Sequence, residues 1–168
     1  KEDYLNDATS EYIKRIKPMA NLNIIEIKEI NNYEDSKNLE LEAISILKEI
    51  KINDYVITLE IEGKEFSSVE LSNFISNHYT YNNKILTFII GSSNGLDKKI
   101  KDRSDFKLSF SKLTFPHQLM RVIFLEQLYR SLTIINNIHP FKNIFILSFI
   151  FTPNFQIIPL LQEQHLFF

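Results

Sequence analysis

The strongest constraint on the fold is the alternation of apolar runs of strand length with segments of helical periodicity. The run 84–90 is almost wholly apolar after its first residue, which is typical of a parallel strand covered on both faces. The segment 54–61 is rich in β-branched residues, which favours a second strand. Strands that alternate with helices predict an α/β domain with a mainly parallel sheet flanked by helices.

Several ends of the predicted helices are placed at residues that typically start or stop a helix. Pro18 ends the first helix, whereas Pro116 begins the last one, because proline is tolerated only in the first turn. Ser67 and Glu70 have the spacing of a capping box, in which each side chain satisfies a backbone N–H of the other residue. We predict helices at 2–16, 39–50, 67–76, 96–101 and 116–131, strands at 22–30, 54–61, 84–90 and 107–110, a loop at 31–37 and a turn at 63–64.

Charge and composition exclude several classes of protein. The 168-residue chain has 19 lysines and arginines against 21 aspartates and glutamates, so a protein that mainly coats nucleic acid is excluded and RNA contact needs a local patch. Basic clusters at 14–17 and 98–103 are either such patches or solvated faces. The chain has no cysteine, which excludes a disulfide framework and a thiolate metal site. Its four histidines are scattered, and we expect no metal.

No segment predicts export or insertion into a membrane. Residues 1–4 are polar and lack the apolar core of a signal peptide. The longest apolar run, 144–151, has eight residues including one serine, whereas a membrane helix needs about 20. We therefore expect a cytoplasmic protein without a membrane partner.

Three loops follow predicted strands at their carboxyl ends, where parallel sheets usually bind ligands. These are 59–65, 91–96 and 110–116. Gly91 comes directly after a buried strand, so that either a ligand approaches its backbone closely or the glycine simply makes a tight turn. No glycine pattern of a phosphate-binding loop is present. His117, in the first turn of the next helix, is either a general base or a structural hydrogen-bonding residue.

Several segments carry a resemblance to a known family. The most specific is SFSKLTFPHQLMRV at 109–122, followed by EQLYR at 126–130. Supporting segments are VITLEIEGK at 56–64, FIIGSSNGL at 88–96 and EYIKR at 11–15. Together they closely resemble the ribosomal large-subunit RNA methyltransferase H family, which belongs to the SPOUT class of methyltransferases.

The resemblance covers residues 1–142 and implies a SPOUT methyltransferase domain with a trefoil knot in its C-terminal half, a rare exception to unknotted topology. Residues 143–168 have no counterpart and are predicted to be an apolar extension. Within them, the run 144–151 is either an aggregation-prone segment or a strand. In the second alternative it replaces the short first strand that the family carries before the match to Lys1.

The resemblance also implies an activity. Members of the family are homodimers that use S-adenosylmethionine to methylate N3 of a pseudouridine in 23S ribosomal RNA on the assembled ribosome. N3 must lose a proton, and His117 and His139 are both candidate acceptors. The cofactor contacts that the resemblance implies are Leu59, Gly91, Phe110, Ser111, Lys112, Leu113, Thr114 and Phe115.

Two positions near the end of the matched region depart from the family. Phe141 stands where the family has tyrosine, and Lys142 stands where it has histidine. Phenylalanine cannot donate a hydroxyl hydrogen bond, and lysine is normally protonated at neutral pH. Beside the active methyltransferase, the alternatives are therefore a dimeric module that binds S-adenosylmethionine with weak or no catalysis, and a product without function.

Overall fold

Five strands form one parallel sheet in the computed structural model, which describes residues 3–82, 84–138 and 145–152. The strands are β1 (Ala20–Glu26), β2 (Asp54–Glu65), β3 (Ile85–Ile90), β4 (Phe106–Ser109) and β5 (Phe145–Phe151). The helices are α1 (Asp3–Ile16), α2 (Asp35–Glu49), α3 (Ser68–Asn82), α4 (Lys98–Arg103) and α5 (His117–Ile138). The strand order is β1-β5-β3-β2-β4, and every pairing between neighbouring strands is parallel.

Each face of the sheet is covered by helices, which confirms the predicted α/β class. On one face, the buried side chains of α1, α3 and α5 pack against alternate strand residues such as Ile57 and Phe88. On the other face, α2 and α4 pack against the intervening residues, including Val56 and Ile89. This two-sided burial explains why β3 is apolar at every position except Thr87. Within the described part of the chain, no helix is both long and apolar enough to cross a bilayer.

The apolar run near the C-terminal end forms β5, a central strand of the sheet. β5 lies between β1 and β3, with Leu22 and Leu86 both in register with Leu147. Its residues Phe149 and Ile150 are at most 1% exposed. The run therefore forms a strand, as the second alternative predicts, and its replacement of the family's first strand stays a prediction. Residues 139–144 and 153–168 lie outside the described residues, and the trefoil knot and the boundary at residue 142 stay predictions.

The helix boundaries differ from the predicted ones by a few residues at most of their ends. The capping box is confirmed, because the Ser67 N–H donates to Glu70 (2.7 Å) and the Glu70 N–H donates to the Ser67 hydroxyl (3.2 Å). Pro116 lies one residue before α5, and its carbonyl accepts the first helical hydrogen bond from Met120. Helix α5 also runs seven residues beyond the predicted end at 131, because Leu132 and Ile135 continue its buried stripe.

The turn predicted at 63–64 is wrong, since β2 continues to Glu65 through a β-bulge. Leu59 and Lys64 both pair with Leu108 of β4, so the intervening residues bulge out of the strand. Gly63 allows this approach: a Cβ atom there would lie only 2.6 Å from the carbonyl carbon of Leu108. A glycine in a strand often marks a bulge or such a close backbone contact.

The central position of β5 leads to a stability prediction. We expect Ile150→Ala to lower the free energy of unfolding by about 2–5 kcal/mol, because it removes buried methyl groups and leaves a cavity. The matched control is Ile52→Ala, whose side chain is 93% exposed, and which should change stability by less than about 0.5 kcal/mol. Urea unfolding curves measure both. Equal effects of the two substitutions would contradict a central β5.

Candidate functional site

A cavity of about 400 Å³ opens at the carboxyl ends of β2, β3 and β4, beside the first turn of α5. This volume is in the range of small-molecule binding sites. The three loops selected from the sequence all contribute to its wall. Eight predicted site residues line the cavity: Leu59, Gly91, Phe110, Ser111, Leu113, Thr114, Phe115 and His117.

One predicted site residue, Lys112, is not among the described residues that line the cavity. Lys112 is exposed, and its ammonium nitrogen lies 3.9 Å from a carboxylate oxygen of Glu65. His139 lies outside the described residues. The lysine belongs to the predicted loop, but its neighbours in the chain supply the wall.

The β-bulge adds wall residues that the sequence analysis missed. Glu60, Ile61 and Glu62 line the cavity, as do Lys101 of α4 and Met120 of α5. The loop 59–65 was selected as a whole, and its sequence was interpreted as a turn at 63–64. The one signal for a bulge is Gly63, an isolated glycine in a strand-forming run.

Glu60 is a carboxylate held in this wall with only 10% of its side chain exposed. It accepts a hydrogen bond of 2.7 Å from the Thr58 hydroxyl. The ammonium groups of Lys101 and Lys107 each lie 3.7 Å from its other oxygen. The two lysines offset the cost of burying the carboxylate, so that the wall carries an ordered charged group beside apolar side chains.

The turn after β3 leaves no room for a side chain at its first residue. A Cβ atom on Gly91 would lie 2.3 Å from the carbonyl oxygen of Gly95. The turn is closed by a hydrogen bond of 2.9 Å from the Gly95 N–H to the Ser92 carbonyl. Gly95 has a φ of 86°, a conformation that glycine adopts without strain. The backbone of Gly91 therefore forms the cavity wall directly.

The loop between β4 and α5 is ordered by hydroxyl groups. The Ser109 hydroxyl lies within hydrogen-bonding distance of the carbonyl oxygens of Ile61 (3.1 Å) and Ser111 (3.2 Å). The Ser111 hydroxyl accepts a hydrogen bond from the Leu113 N–H at 3.0 Å. These bonds tie the loop to the β-bulge, while the Leu113 side chain remains 71% exposed.

His117 lines the cavity at the start of α5 and is half-buried. Burial lowers the pKa of its imidazole, and a hydrogen bond with the backbone of Gly91 acts in the opposite direction. A hydrogen bond that raises the pKa of histidine is one in which a ring N–H donates to a carbonyl oxygen. In the neutral imidazole, a ring N–H that donates to Gly91 leaves the second ring nitrogen as a hydrogen-bond acceptor.

The basic cluster at 98–103 is neutralised by ion pairs rather than forming a free positive patch. Each of its four cations lies within 4.0 Å of a carboxylate. In the cluster at 14–17, Arg15 pairs with Glu11 at 2.8 Å, whereas Lys14 and Lys17 are exposed. Contact with RNA phosphates by residues 98–103 therefore requires these ion pairs to open.

Among the described residues, no group of three or more histidine, aspartate or glutamate side chains is arranged to hold a metal ion. The polar groups of the cavity are instead two glutamates, one lysine, one histidine, several hydroxyl groups and exposed backbone. Hydrogen-bonding groups beside apolar side chains are typical of sites for organic ligands.

Comparisons with known proteins agree with this geometry. A family model described as "Predicted SPOUT methyltransferase" matches residues 1–141. A protein of Fusobacterium nucleatum named ribosomal RNA large subunit methyltransferase H is 49% identical over 141 residues, which cover 82% of this chain and 90% of the relative. A protein of the same name from Carboxydothermus hydrogenoformans is 45% identical over 141 residues, covering 80% and 89%.

A protein of Methanococcus maripaludis, whose name assigns it provisionally to the same group, is 54% identical over 142 residues. These residues cover 81% of this chain and 89% of that relative. The matched region contains both the cavity loops and the first turn of α5. The chain therefore belongs to the SPOUT methyltransferases and, among them, to the ribosomal RNA large subunit methyltransferase H family.

Proposed function

We propose that this protein transfers a methyl group from S-adenosylmethionine to N3 of a pseudouridine in 23S ribosomal RNA on the assembled ribosome. The observation that carries the proposal is the cavity of about 400 Å³. Seven of the eight residues that the family resemblance implies as cofactor contacts line it, together with His117. The names of the relatives add the class of acceptor, a large-subunit ribosomal RNA.

The residues around the cavity fit this cofactor. Leu59, Leu113 and Phe115 supply apolar walls for an adenine ring, and the side-chain-free backbone of Gly91 allows close approach. S-adenosylmethionine supplies a methyl group on a positively charged sulfur. The protein's part is to exclude water and to align acceptor and methyl group, which accounts for a large share of the rate enhancement in such transfers.

His117 is the group that we propose as the proton acceptor for N3. One of its ring nitrogens donates to the Gly91 carbonyl, and the neutral ring presents the other as an acceptor. Because burial lowers its pKa, this ring stays neutral down to a lower pH than the ring of an exposed histidine. His139 remains the second candidate, because it lies outside the described residues.

We also propose a homodimer in which a second copy covers the rim of the cavity. Leu113 is 71% exposed at this rim, and Leu119 of α5 and Ile61 of the β-bulge are 38% and 46% exposed. Ile61 and Leu113 line the cavity, and Leu119 follows His117 by two residues on α5; exposed apolar side chains near a polar site are typical of an interaction surface. A second copy would bury them and exclude water from the cavity.

The dimer predicts the effect of a charge at this rim. We expect a dimer at micromolar concentration by sedimentation velocity, and a shift towards monomer in Leu119→Glu, because the charge would be desolvated at the interface. Ile52→Glu, at the opposite end of the sheet and 93% exposed, is the control and should stay dimeric. A monomeric wild-type protein that binds the cofactor would contradict the dimer.

The cofactor site predicts the effect of a side chain at Gly91. We expect Gly91→Val to weaken the binding of S-adenosylmethionine in calorimetry at least about tenfold, roughly 1.4 kcal/mol. The added atoms would collide with the Gly95 carbonyl and displace the turn. Asn94→Ala changes an exposed residue of the same turn that does not line the cavity, and it should bind normally. Equal affinity of all three proteins, or no heat with the wild type, would contradict the site.

The proposed role of His117 predicts a pH dependence. Because its pKa is lowered below 6.5, the rate of methyl transfer should be constant above that pH and fall as the pH drops through the lowered pKa. We expect His117→Gln to transfer methyl groups about 10²- to 10⁴-fold more slowly and without this acidic limb. If His117→Gln keeps the fall in rate at acidic pH, another group accepts the proton from N3.

The proposed substrate is tested with tritiated cofactor and ribosomes that lack the modification. We expect label in 23S RNA of whole ribosomes and much less in free RNA, because a chain of net charge −2 neutralises few phosphates. Phe141→Tyr combined with Lys142→His should increase the label. Cofactor binding without label in either protein would support the non-catalytic module instead. Equal labelling of free RNA would contradict the argument from charge.

A further inference from the structure

Arg121 of α5 is a buried cation that does not line the cavity. Its side chain is 6% exposed, and its carboxylate partner Glu26, at 3.2 Å, is 54% exposed. A second guanidinium nitrogen donates to the Gln118 side-chain oxygen at 3.0 Å, and the group lies 3.6 Å from the centre of the Phe151 ring. Among the described residues, its third nitrogen, Nε, is buried without a hydrogen-bond partner.

This arrangement is energetically unfavourable for a contact that only stabilises the fold. Burying a charge is unfavourable even in an ion pair, and each buried donor without a hydrogen-bond partner adds a further unfavourable contribution. Within the described chain, the amide nitrogen of Gln118 and the hydroxyl of Thr152 are also buried without hydrogen-bond partners. An apolar side chain of similar length at position 121 would avoid the burial of the guanidinium charge and its unpaired Nε, so that stability alone does not account for an arginine there.

The contacts of Arg121 indicate a role for this buried charge. Through Glu26 and Phe151, the guanidinium contacts the carboxyl ends of β1 and β5. One strand further along the sheet, His117 bonds to the backbone of Gly91, directly after β3. His117 and Arg121 are four residues apart, so they lie on the same face of α5. The first turns of the helix are thus attached to three adjacent strand ends.

We propose that Arg121 is a positioning residue, which holds the first turns of α5 so that His117 keeps its hydrogen bond to Gly91 and its place in the cavity wall. The inference rests on the proposed function only for the effect on methyl transfer. The contact with Glu26 sets the distance of the helix from β1, and the contact with Phe151 sets its height above β5. The planar guanidinium makes both contacts at once, which a lysine cannot do.

The test compares Arg121→Met and Arg121→Lys with Arg130→Met. Arg130 lies on the same helix, is exposed, and pairs with Glu126 on the surface. Three measurements are made on each full-length protein: the unfolding midpoint, the NMR titration of the His117 ring, assigned with His117→Gln, and the rate of methyl transfer to ribosomes. Glu60, Glu62 and Lys101 line the same cavity and are kept unchanged, so that they affect all titrations equally.

We expect Arg121→Met to unfold at about the same temperature as the wild type or a higher one, since methionine removes the buried charge and the remaining Glu26 carboxylate is 54% exposed to solvent. Its His117 should titrate closer to 6.5, because a ring that leaves the wall regains water. Its kcat should fall on the order of 10²-fold, the typical effect of a 1 Å misplacement. Arg121→Lys should show the change in the His117 titration and the fall in kcat. Arg130→Met should show neither.

Two results would overturn the proposal. One is an Arg121→Met protein whose His117 titrates as in the wild type, whatever its activity. The other is a loss of unfolding stability that accompanies and accounts for the loss of rate, which would make Arg121 a structural residue. If the wild-type protein labels no ribosomes, the proposed function fails. The His117 titration still decides the positioning role in that case.

Discussion

The pairing of β5 with both β1 and β3 is the contact on which the rest of the structure depends. Without it, β1 would have no neighbour in the sheet, because β5 is the strand that joins it to β3. The ring of Phe149 also stacks on Phe124 of α5 at 4.8 Å between centroids. β5 thus connects the sheet to the helix that carries His117. The position of His117 in the cavity wall depends on that connection.

Much of this fold could be predicted from local pattern, and the parts that could not be predicted depend on distant residues. The capping box at Ser67 and Glu70 needs only its own helix turn, and it forms as predicted. The β-bulge before Lys64 depends instead on β4, since Gly63 approaches the backbone of Leu108. Likewise, strand length could be deduced for the last apolar run, whereas its place in the strand order is set by β1 and β3.

The same distinction holds at the cavity. The rule that ligands bind at the carboxyl ends of parallel strands selects all three wall loops. The individual side chains are harder to predict, because Lys112 and Leu113 are adjacent in the chain and only Leu113 lines the cavity. Charge partners are harder still: the lysines of α4 form a run in the sequence, but their carboxylates come partly from α2 and the β-bulge.

The order in which the strands leave the ribosome during synthesis has a consequence for how the chain folds. Among the described strands, β1 is made first, whereas β5, the strand with which it pairs, is made last. Until β5 emerges, β1 and one edge of β3 have unpaired backbone N–H and C=O groups. Such groups can pair with the wrong strand or with another chain. The nascent chain can assemble β2, β3 and β4 early, but the sheet closes only after translation of β5. Such distant pairing slows folding, so we expect the pairing of β1 with β5, which joins the two ends of the described sequence, to be a late step in the assembly of the sheet.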